Sequence, residues 1–253
     1  MLANLLKSRR TRTQPTGSIP PGQRVYAIGD IHGCDALLEQ LLTAIAADEE
    51  ARGPARTTLI FLGDLIDRGP ASAAVVERLR QLAADRPDTR FLLGNHEEIF
   101  MGALDGEPKA LRLFCRVGGR ETAISYGIDA QAYDRMDYEE FSTALQRQVP
   151  AEHRAFLATF EDLIVIGDYV FVHAGVRPGV ALDAQRSGDL RWIRDPFLDH
   201  GRPLEKIVVH GHTISDELDI QPHRIGVDTG AYSTGRLTAL GLEGGASWTV
   251  QVA

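Results

Sequence analysis

The chain has 253 residues, of which 43% are hydrophobic and 25% charged, so it is long and apolar enough to bury a substantial core. These proportions exclude a disordered chain, and its two cysteines, Cys34 and Cys115, provide neither a disulfide framework nor a zinc-ribbon pattern. The formal net charge of −8 offers no basic footprint, so no nucleic-acid partner is expected.

Residues 1–23 are predicted to form a flexible leader, because Arg, Thr, Pro and Gly are frequent from Lys7 to Gln23. The basic residues follow the short apolar stretch, which reverses the order found in a secretory signal. No apolar run approaches the roughly 20 residues that span a bilayer. We therefore expect a cytoplasmic protein without a membrane partner, with one folded domain over 24–253.

Strand and helix patterns alternate after the leader. Buried strands are predicted over 24–29, 57–63 and 89–94, and amphipathic helices over 35–47 and 71–84. Consecutive strand–helix units of this kind imply parallel strands. Such sheets bind ligands beyond the carboxyl ends of their strands.

The second half of the chain has a different pattern. Residues 97–158 are predicted to be a helical insertion that borders the site, and short strands are predicted afterwards over 163–166, 169–173, 206–210, 224–227, 237–242 and 247–250. We expect these later strands to form a second sheet packed on the first. The fold class is therefore predicted to be α/β, with two packed mixed sheets flanked by helices in a single domain.

Metal-capable residues lie at the ends of five predicted strands. The motifs are GDIHG at 29–33, GDLIDRG at 63–69, GNHE at 94–97, VHAG at 172–175 and GHT at 211–213. A single Gly-Asp pair after a strand is usually just a turn, but five such motifs in order indicate a site. Asp, Asn and His supply the mixed oxygen and imidazole ligands that suit manganese, iron or zinc.

These motifs resemble those of the calcineurin-like metallophosphoesterases, and in particular their bacterial and phage phosphoprotein phosphatase branch. The resemblance extends from Val25 to about Gly245 and implies the metallophosphoesterase fold with two divalent metal ions, for which manganese is favoured over iron or zinc. It assigns Asp30 and His32 to the first ion and Asp64 as a bridge, with Asn95, His173 and His212 on the second. A bridging carboxylate implies ions roughly 3.5–4 Å apart.

The resemblance also implies catalytic and substrate-binding residues. Arg68 would clamp the phosphate together with Arg194, although Arg191 is a rival for the second role, and Asn95 would contact the substrate. Arginine suits this task because its planar fork makes two hydrogen bonds to phosphate oxygens. A metal-bridging hydroxide is the implied nucleophile. His96 would then protonate the leaving group.

Several residues near the motifs have alternative interpretations. Asp67 would orient His96, or it could instead cap the helix over 71–84. In the wider superfamily a GHxH motif contributes a further ligand at the position of Ile214, and His210 is a weak candidate ligand. Cys34 lacks the CxxxxxR loop of a cysteine phosphatase and is predicted to be a small buried thiol.

The tryptophans and the histidines outside the motifs are predicted to have structural roles. Trp192 and Trp248 are expected in the core or in the walls of the site. The histidines outside the motifs are predicted to lie on the surface; these are His153, His200 and His223.

The main functional prediction is a binuclear metal-dependent phosphatase that hydrolyses phosphomonoesters, with phosphoserine and phosphothreonine in proteins as its substrates. The alternative is a symmetric diadenosine tetraphosphate hydrolase. By resemblance, such enzymes tend to replace the aspartate of DRG and to lack threonine after the last GH, so Asp67 and Thr213 favour the protein phosphatase. An alternative from another functional class is a phosphate-binding adaptor without catalytic activity. Such an adaptor would have lost a metal ligand or His96, and this sequence keeps all of them.

Overall fold

A computed structural model describes residues 16–253, which fold into two five-stranded sheets with helices on their outer faces. The strands are β1 (Gln23–Ile28), β2 (Arg56–Phe61), β3 (Arg90–Phe91), β4 (Leu163–Ile166), β5 (Tyr169–Val172), β6 (Ile207–His210), β7 (Asp219–Gln221), β8 (Arg224–Gly226), β9 (Leu237–Glu243) and β10 (Ala246–Val252). This arrangement confirms the predicted fold class.

Eleven α-helices lie within the described residues. They are α1 (Asp35–Arg52), α2 (Ser72–Asp85), α3 (Asn95–Leu104), α4 (Pro108–Arg116), α5 (Gly119–Ser125), α6 (Ala130–Tyr133), α7 (Tyr138–Gln148), α8 (Ala151–Leu157), α9 (Ser187–Trp192), α10 (Asp195–Leu198) and α11 (Ala231–Thr234). Helices α3 to α8 occupy the segment predicted to be helical. None of the helices in residues 16–253 is long and apolar enough to cross a membrane.

The first sheet has the order β10-β9-β1-β2-β3. Strands β1, β2 and β3 are parallel, as the alternating strand–helix pattern predicts, while β9 pairs antiparallel to β1 and β10 to β9. The prediction that residues 237–242 and 247–250 join the second sheet is therefore wrong. Six of the seven residues of β9 are buried, and pairing with β1 on one side and β10 on the other satisfies the backbone of this central strand.

The second sheet has the order β4-β5-β6-β8-β7, with β5, β6 and β8 parallel. The sequence did not predict β7, whose three residues are only half-buried. The third strand is also shorter than the predicted range 89–94. Strand β3 pairs through two residues, and Leu92 adds an isolated bridge to Glu161. The chain turns into α3 directly afterwards, which leaves no room for further pairing.

Alternate residues of β1 serve two different cores. Val25 and Ala27 point into the apolar layer between the two sheets, where they join Phe171 and Val209 of the second sheet. Tyr26 and Ile28 point to the opposite face, where they pack with α1 and α2. This two-residue alternation is the ordinary geometry of a strand, and it explains why β1 reads as a continuous apolar run.

Positions 1–15 of the predicted leader lie outside the residues that the structure describes. Its last part is attached to the domain, because Ile19 is fully buried and donates its backbone N–H to the carbonyl of Gly244 at 2.8 Å. The backbone N–H of Ser18 also donates to Asp168 at 3.0 Å.

Two histidines predicted to be on the surface are buried instead. His153 is 6% exposed, and its ring nitrogens lie 3.0 Å from the Tyr126 hydroxyl and 3.0 Å from the Glu77 carboxylate, which ties α8 to α2. His223 is 7% exposed and packs edge-on against His200. The sequence could not reveal this burial, since the partners come from distant segments.

One carboxylate fastens α1 to the first sheet. The Oδ2 atom of Asp48 accepts hydrogen bonds from the Tyr26 hydroxyl at 2.6 Å, the Trp248 indole N–H at 2.7 Å and Arg52 Nε at 2.8 Å. These bonds outweigh the effect of burial and lower the pKa of Asp48. The helix, β1 and β10 therefore meet at one acceptor.

We expect Asp48→Ala to reduce the free energy of unfolding by about 1–3 kcal/mol, because the Tyr26 and Trp248 donors lose their acceptor. Chemical denaturation followed by circular dichroism measures the change. Asp85→Ala, which removes an exposed carboxylate at the end of α2, is the matched control and should change stability by less than about 0.5 kcal/mol. Equal effects of the two substitutions would contradict this role for Asp48.

Candidate metal centre and active site

The metal-capable residues of both sheets converge at the carboxyl ends of parallel strands. Asp30 and His32 follow β1, Asp64 follows β2 and Asn95 follows β3, while His173 and His212 follow β5 and β6 of the second sheet. Because the sheets pack face to face, these two strand edges meet. Each of these side chains is at most 9% exposed.

The loops that carry the site have an unusual backbone. Among residues 16–253, five non-glycine residues have positive φ angles between 47° and 71°, and all five lie in the motifs: His32, Asp64, Asp67, Arg68 and His212. Such angles are strained for residues with a side chain and tend to occur at functional sites. The loops also pack very closely, since a Cβ at Gly69 would lie 2.0 Å from the carbonyl oxygen of His32.

Asp64 lies at the centre of the site. Its carboxylate oxygens are 3.4 Å from His173 Nε2, 3.7 Å from His32 Nε2 and 3.9 Å from His96 Nε2. Two groups with the spacing of metal ligands share this residue, one with His32 and His96 and the other with His173 and His212. We call these five residues the Asp64 cluster.

Asp30 and Asn95 lie beside the Asp64 cluster. The Asp30 carboxylate accepts the backbone N–H of His212 at 3.0 Å, and Asn95 Oδ1 is 3.0 Å from His173 Nε2. The group that contains His32 includes His96 and not Asp30. The sequence instead assigns a catalytic role to His96 and a ligand role to Asp30. The structure thus brings all six predicted ligands to one site.

The electrostatics of the cluster fit divalent cations. His212 Nε2 is buried without a hydrogen-bond partner among residues 16–253, and burial lowers the pKa values of His32 and His212 to about 3, so both imidazoles are neutral and can donate a lone pair. Burial, with Asp228 and Asp64 nearby, raises the pKa of Asp30 well above its usual value. A cation among these carboxylates would relieve their repulsion.

An open cavity of about 550 Å³ lies over the Asp64 cluster. Arg68 and Arg194 both line it. The Arg68 guanidinium lies 3.0 Å from both His32 Nε2 and His96 Nε2, and Arg194 donates to the His212 carbonyl at 3.3 Å. Arg191 does not line the cavity, because its guanidinium is bound to Glu98 and Asp162.

Asp67 and His96 form a buried pair. His96 Nδ1 is 2.6 Å from Asp67 Oδ2, and the Thr122 hydroxyl donates to the other carboxylate oxygen at 2.6 Å. Burial lowers the pKa of His96, but the carboxylates of Asp64 and Asp67 outweigh this effect and raise it overall. The alternative role of Asp67 as a helix cap is wrong, since α2 begins at Ser72 and Asp67 does not cap it.

The helical segment 97–158 contacts the loop that carries Asp67 and Arg68. The carbonyl of Gly118 accepts the backbone N–H of Arg68 at 3.0 Å, and Thr122 Oγ1 accepts that of Asp67 at 2.9 Å. A Cβ at Gly118 would lie 2.8 Å from the Arg68 nitrogen, and its φ of 111° also favours glycine. The segment therefore holds the backbone of both predicted catalytic residues.

Three other residues considered from the sequence lie outside the Asp64 cluster. His210 Nδ1 lies 3.0 Å from the Gly211 carbonyl, and its ring packs against Phe197, so it is not part of the Asp64 cluster. Cys34 is half-buried before α1, and burial raises the pKa of its thiol. Trp248 packs on Tyr26 in the first sheet.

Sequence reasoning missed the role of Glu97. Its buried carboxylate accepts the backbone N–H groups of Asp64 and Leu65 at 2.8 Å and of Gly94 at 3.1 Å. The only signal in the sequence is its place at the end of GNHE. Two further residues were missed: Asp228, buried after β8, and Tyr232, whose ring lies 5.2 Å from that of His32.

The family model for the calcineurin-like phosphoesterases matches residues 23–238. The chain belongs to this family. Its membership and the clusters of His and Asp that could hold metal ions support a metal-dependent phosphoric ester hydrolase, as the sequence predicts.

Two curated relatives and one solved structure illustrate what this metallophosphoesterase resembles. It is 26% identical over 238 residues to the asymmetrical bis(5'-nucleosyl)-tetraphosphatase PrpE of Bacillus mycoides, covering 84% of this chain and 88% of the relative. It is 38% identical over 182 residues to the symmetrical bis(5'-nucleosyl)-tetraphosphatase of Paracidovorax citrulli, covering 72% of this chain but 50% of the relative. A crystal structure provisionally called a diadenosine tetraphosphatase superposes with a TM-score of 0.63 at 24% identity, covering 95% of this chain and 98% of the other.

These comparisons change one prediction. The structural likeness supports the fold alone, and neither curated relative is named as a protein phosphatase. Phosphoserine and phosphothreonine specificity is therefore not supported. Asp67 and Thr213 do not distinguish the two substrate classes, because both contact other residues of the site, Asp67 through His96 and Thr213 through Arg194.

We expect Glu97→Gln to destabilise the site loops by about 2–3 kcal/mol. The amide has one acceptor oxygen, and its NH₂ group would face backbone donors that the carboxylate now satisfies. Thermal unfolding of the metal-free protein measures this effect without reference to activity. Glu152→Gln on the exposed face of α8 is the matched control. A loss of stability no larger than that of the control would show that the three backbone hydrogen bonds of Glu97 contribute little to stability.

Proposed function

We propose that this metallophosphoesterase hydrolyses dinucleoside tetraphosphates. The observation that carries the proposal is the cavity over the Asp64 cluster, in which metal-capable side chains, two arginines and two exposed aromatic side chains line the same space. Arginine clamps phosphate oxygens, and exposed aromatic faces can stack on nucleobases. A substrate with several phosphates between two bases matches this combination.

The names of the relatives support the same substrate class. The similarity to PrpE of Bacillus mycoides includes most of both chains, and the similarity to the Paracidovorax citrulli protein is stronger but includes half of that relative. The two names differ in the bond that is cleaved. The products of this chain would therefore be two nucleoside diphosphates or a triphosphate and a monophosphate.

The metal ligands are proposed to be those that the sequence suggests. Asp30, His32 and Asp64 would hold one divalent ion, and Asp64 would be shared with a second ion held by Asn95, His173 and His212. Manganese, iron or zinc would suit this mixture of oxygen and nitrogen donors. When bound, such ions lower the pKa of water and neutralise charge on a phosphoryl oxygen.

Arg68 and Arg194 are proposed to hold the phosphoryl group over the Asp64 cluster. The guanidinium of Arg68 already lies within 3.0 Å of two cluster imidazoles, and Arg194 is placed at the cavity wall by its contact with the His212 carbonyl. Together they would stabilise negative charge on the transferred oxygens. Asn95, which also lines the cavity, is proposed to add a neutral hydrogen bond.

His96 is proposed to donate a proton to the leaving group. Its Nδ1 is held by Asp67, so Nε2 is the nitrogen that faces Arg68 and the cavity. The carboxylate keeps the imidazole oriented and favours its protonated form. A nucleotide leaving group is already weakly basic, so it would need this proton less than a serine alkoxide would.

A substrate panel tests the proposed function. The metal-loaded protein should hydrolyse diadenosine tetraphosphate with a kcat/KM roughly a hundredfold or more above that for a phosphoserine peptide, since clamps for several phosphates and a base add binding energy that the peptide lacks. Chromatography of the products identifies the cleaved bond. Chelation should abolish the activity and manganese should restore it.

The control is Arg116→Ala, which removes an exposed arginine of α4 and should leave the rates unchanged. Arg194→Ala should lower kcat/KM for the dinucleotide by about 30- to 1,000-fold, as expected when one charge-stabilising donor is lost. Preferential hydrolysis of the phosphopeptide would overturn the proposal and reinstate the protein phosphatase.

The role of His96 predicts a dependence on the leaving group. His96→Asn should lose on the order of 10²–10⁴ in kcat on phenyl phosphate, where the departing oxygen is basic, and clearly less on p-nitrophenyl phosphate. Asp67→Asn should show the same asymmetry in a milder form, because it only orients the imidazole. Metal content, measured in parallel, should be retained. Equal losses on both esters would argue that His96 binds charge and does not transfer a proton.

A further inference from the structure

Trp192 is the most exposed large apolar side chain in the cavity wall apart from Ile214. It ends α9 and is 40% exposed. Its indole N–H donates to Glu98 Oε2 at 2.5 Å, so the ring is held although it faces solvent. A fixed and exposed indole loses little conformational entropy when a flat ligand packs on it.

Glu98 attaches this ring to the helix that carries the site. Its other oxygen accepts a hydrogen bond from Arg191 Nη1 at 2.8 Å, and Arg191 Nε donates to Asp162 at 2.7 Å. Glu98 belongs to α3, the helix that begins with Asn95. The segment of Trp192 is thus tied to the helix that begins beside the Asp64 cluster. The sequence also suggests Arg191 as a phosphate ligand, because no motif shows that Glu98 and Asp162 bind its guanidinium.

The second exposed aromatic of the cavity is already engaged. The guanidinium of Arg68 lies over the Tyr232 ring at 4.8 Å from its centre, and the ring packs edge-on against His32. In contrast, no aromatic or cation–π pair among residues 16–253 involves Trp192. The indole face is therefore the aromatic surface that remains available to a ligand.

Trp192 also lies at a suitable position along the chain. Arg194 follows it by two residues, lines the same cavity and contacts the His212 carbonyl. A phosphate bound by Arg194 would therefore have the indole close by, on the side of the cavity formed by α9. A nucleoside attached to a neighbouring phosphate could reach this ring.

We propose that Trp192 is the nucleobase-stacking surface of this site, and that Glu98 and Arg191 are positioning residues that hold it. The inference rests on the proposed dinucleotide substrate and names the residue that distinguishes a nucleotide from a simple phosphate ester. Base–aromatic stacking tolerates any base, because every base presents a π-face. The site would therefore select for a base without selecting strongly among bases.

The kinetic test compares substrates with and without a base. Trp192→Ala should raise KM for diadenosine tetraphosphate about tenfold, with p-nitrophenyl phosphate hydrolysis within about twofold of the original. Trp192→Phe should recover most of the affinity because it keeps an aromatic face. Tyr138→Ala, which removes an aromatic side chain that is 51% exposed and outside the cavity, is the matched control.

Glu98 is tested by its effect on KM and kcat separately. Glu98→Ala should raise KM for the dinucleotide and leave kcat nearly unchanged, because it releases the ring without touching the reacting groups. Glu98→Gln should restore part of the affinity, since its amide oxygen still accepts the indole N–H. A fall in kcat with unchanged KM would assign Glu98 to the reaction itself and contradict the positioning role.

Fluorescence tests stacking independently of turnover. The chain has two tryptophans, so Trp248→Phe leaves Trp192 as the single reporter. ADP should quench its emission, whereas ribose 5-phosphate, which has the sugar and phosphate but no base, should not. Quenching by ADP supports the inference even if the dinucleotide is not a substrate, in which case the proposed function alone would fail.

Three results would overturn the inference. One is the absence of ADP quenching, and another is equal quenching by ribose 5-phosphate. The third is an equal loss of activity by Trp192→Ala on p-nitrophenyl phosphate and on the dinucleotide. Such a result would show that the indole acts on the phosphate site through Arg194.

Discussion

The geometry of the site depends on one buried carboxylate. Glu97 accepts backbone N–H groups from Asp64, Leu65 and Gly94, and so joins the ends of β2 and β3 where no strand pairing is left. Five residues in the neighbouring loops have positive φ angles, at a cost of order 1–3 kcal/mol each. Such loops keep their shape only if the surrounding structure holds them, and Glu97 supplies that restraint from the first turn of α3. The loops that carry Asp64 and Asn95 are thus held by a residue that need not bind metal.

Parallel strands explain why so much of the site could be predicted from the sequence. The carboxyl ends of such strands meet at one edge, so a polar motif after each apolar run is enough to place Asp30, Asp64 and Asn95 together. The continuous apolar run of β1 likewise predicts a strand with both faces buried. The local motifs carried this information, and the structure brings all six predicted ligands to one place.

The features that could not be predicted depend on contacts between distant segments. Glu97 Oε2 accepts the N–H of a residue 33 positions earlier, and His153 is buried because Tyr126 and Glu77 come from other helices. Pairing of β9 with β1 joins residues more than 200 positions apart. The position of the Trp192 ring belongs to the same class, since it is held by Glu98, which lies 94 positions earlier.

The contacts of Gly118 and Thr122 with the loop of Asp67 and Arg68 limit how this fold can be modified. The helical segment 97–158 contributes Val117 to the cavity wall, so exchanging this segment would alter the cavity. However, the same segment holds the backbone of two residues proposed to act on the phosphate. A transplanted segment that supplied a new wall but lacked a glycine and a hydroxyl at these two positions would shift the loop as well. A graft of this segment therefore has to preserve the contacts of Gly118 and Thr122 with the loop before it can change the cavity wall.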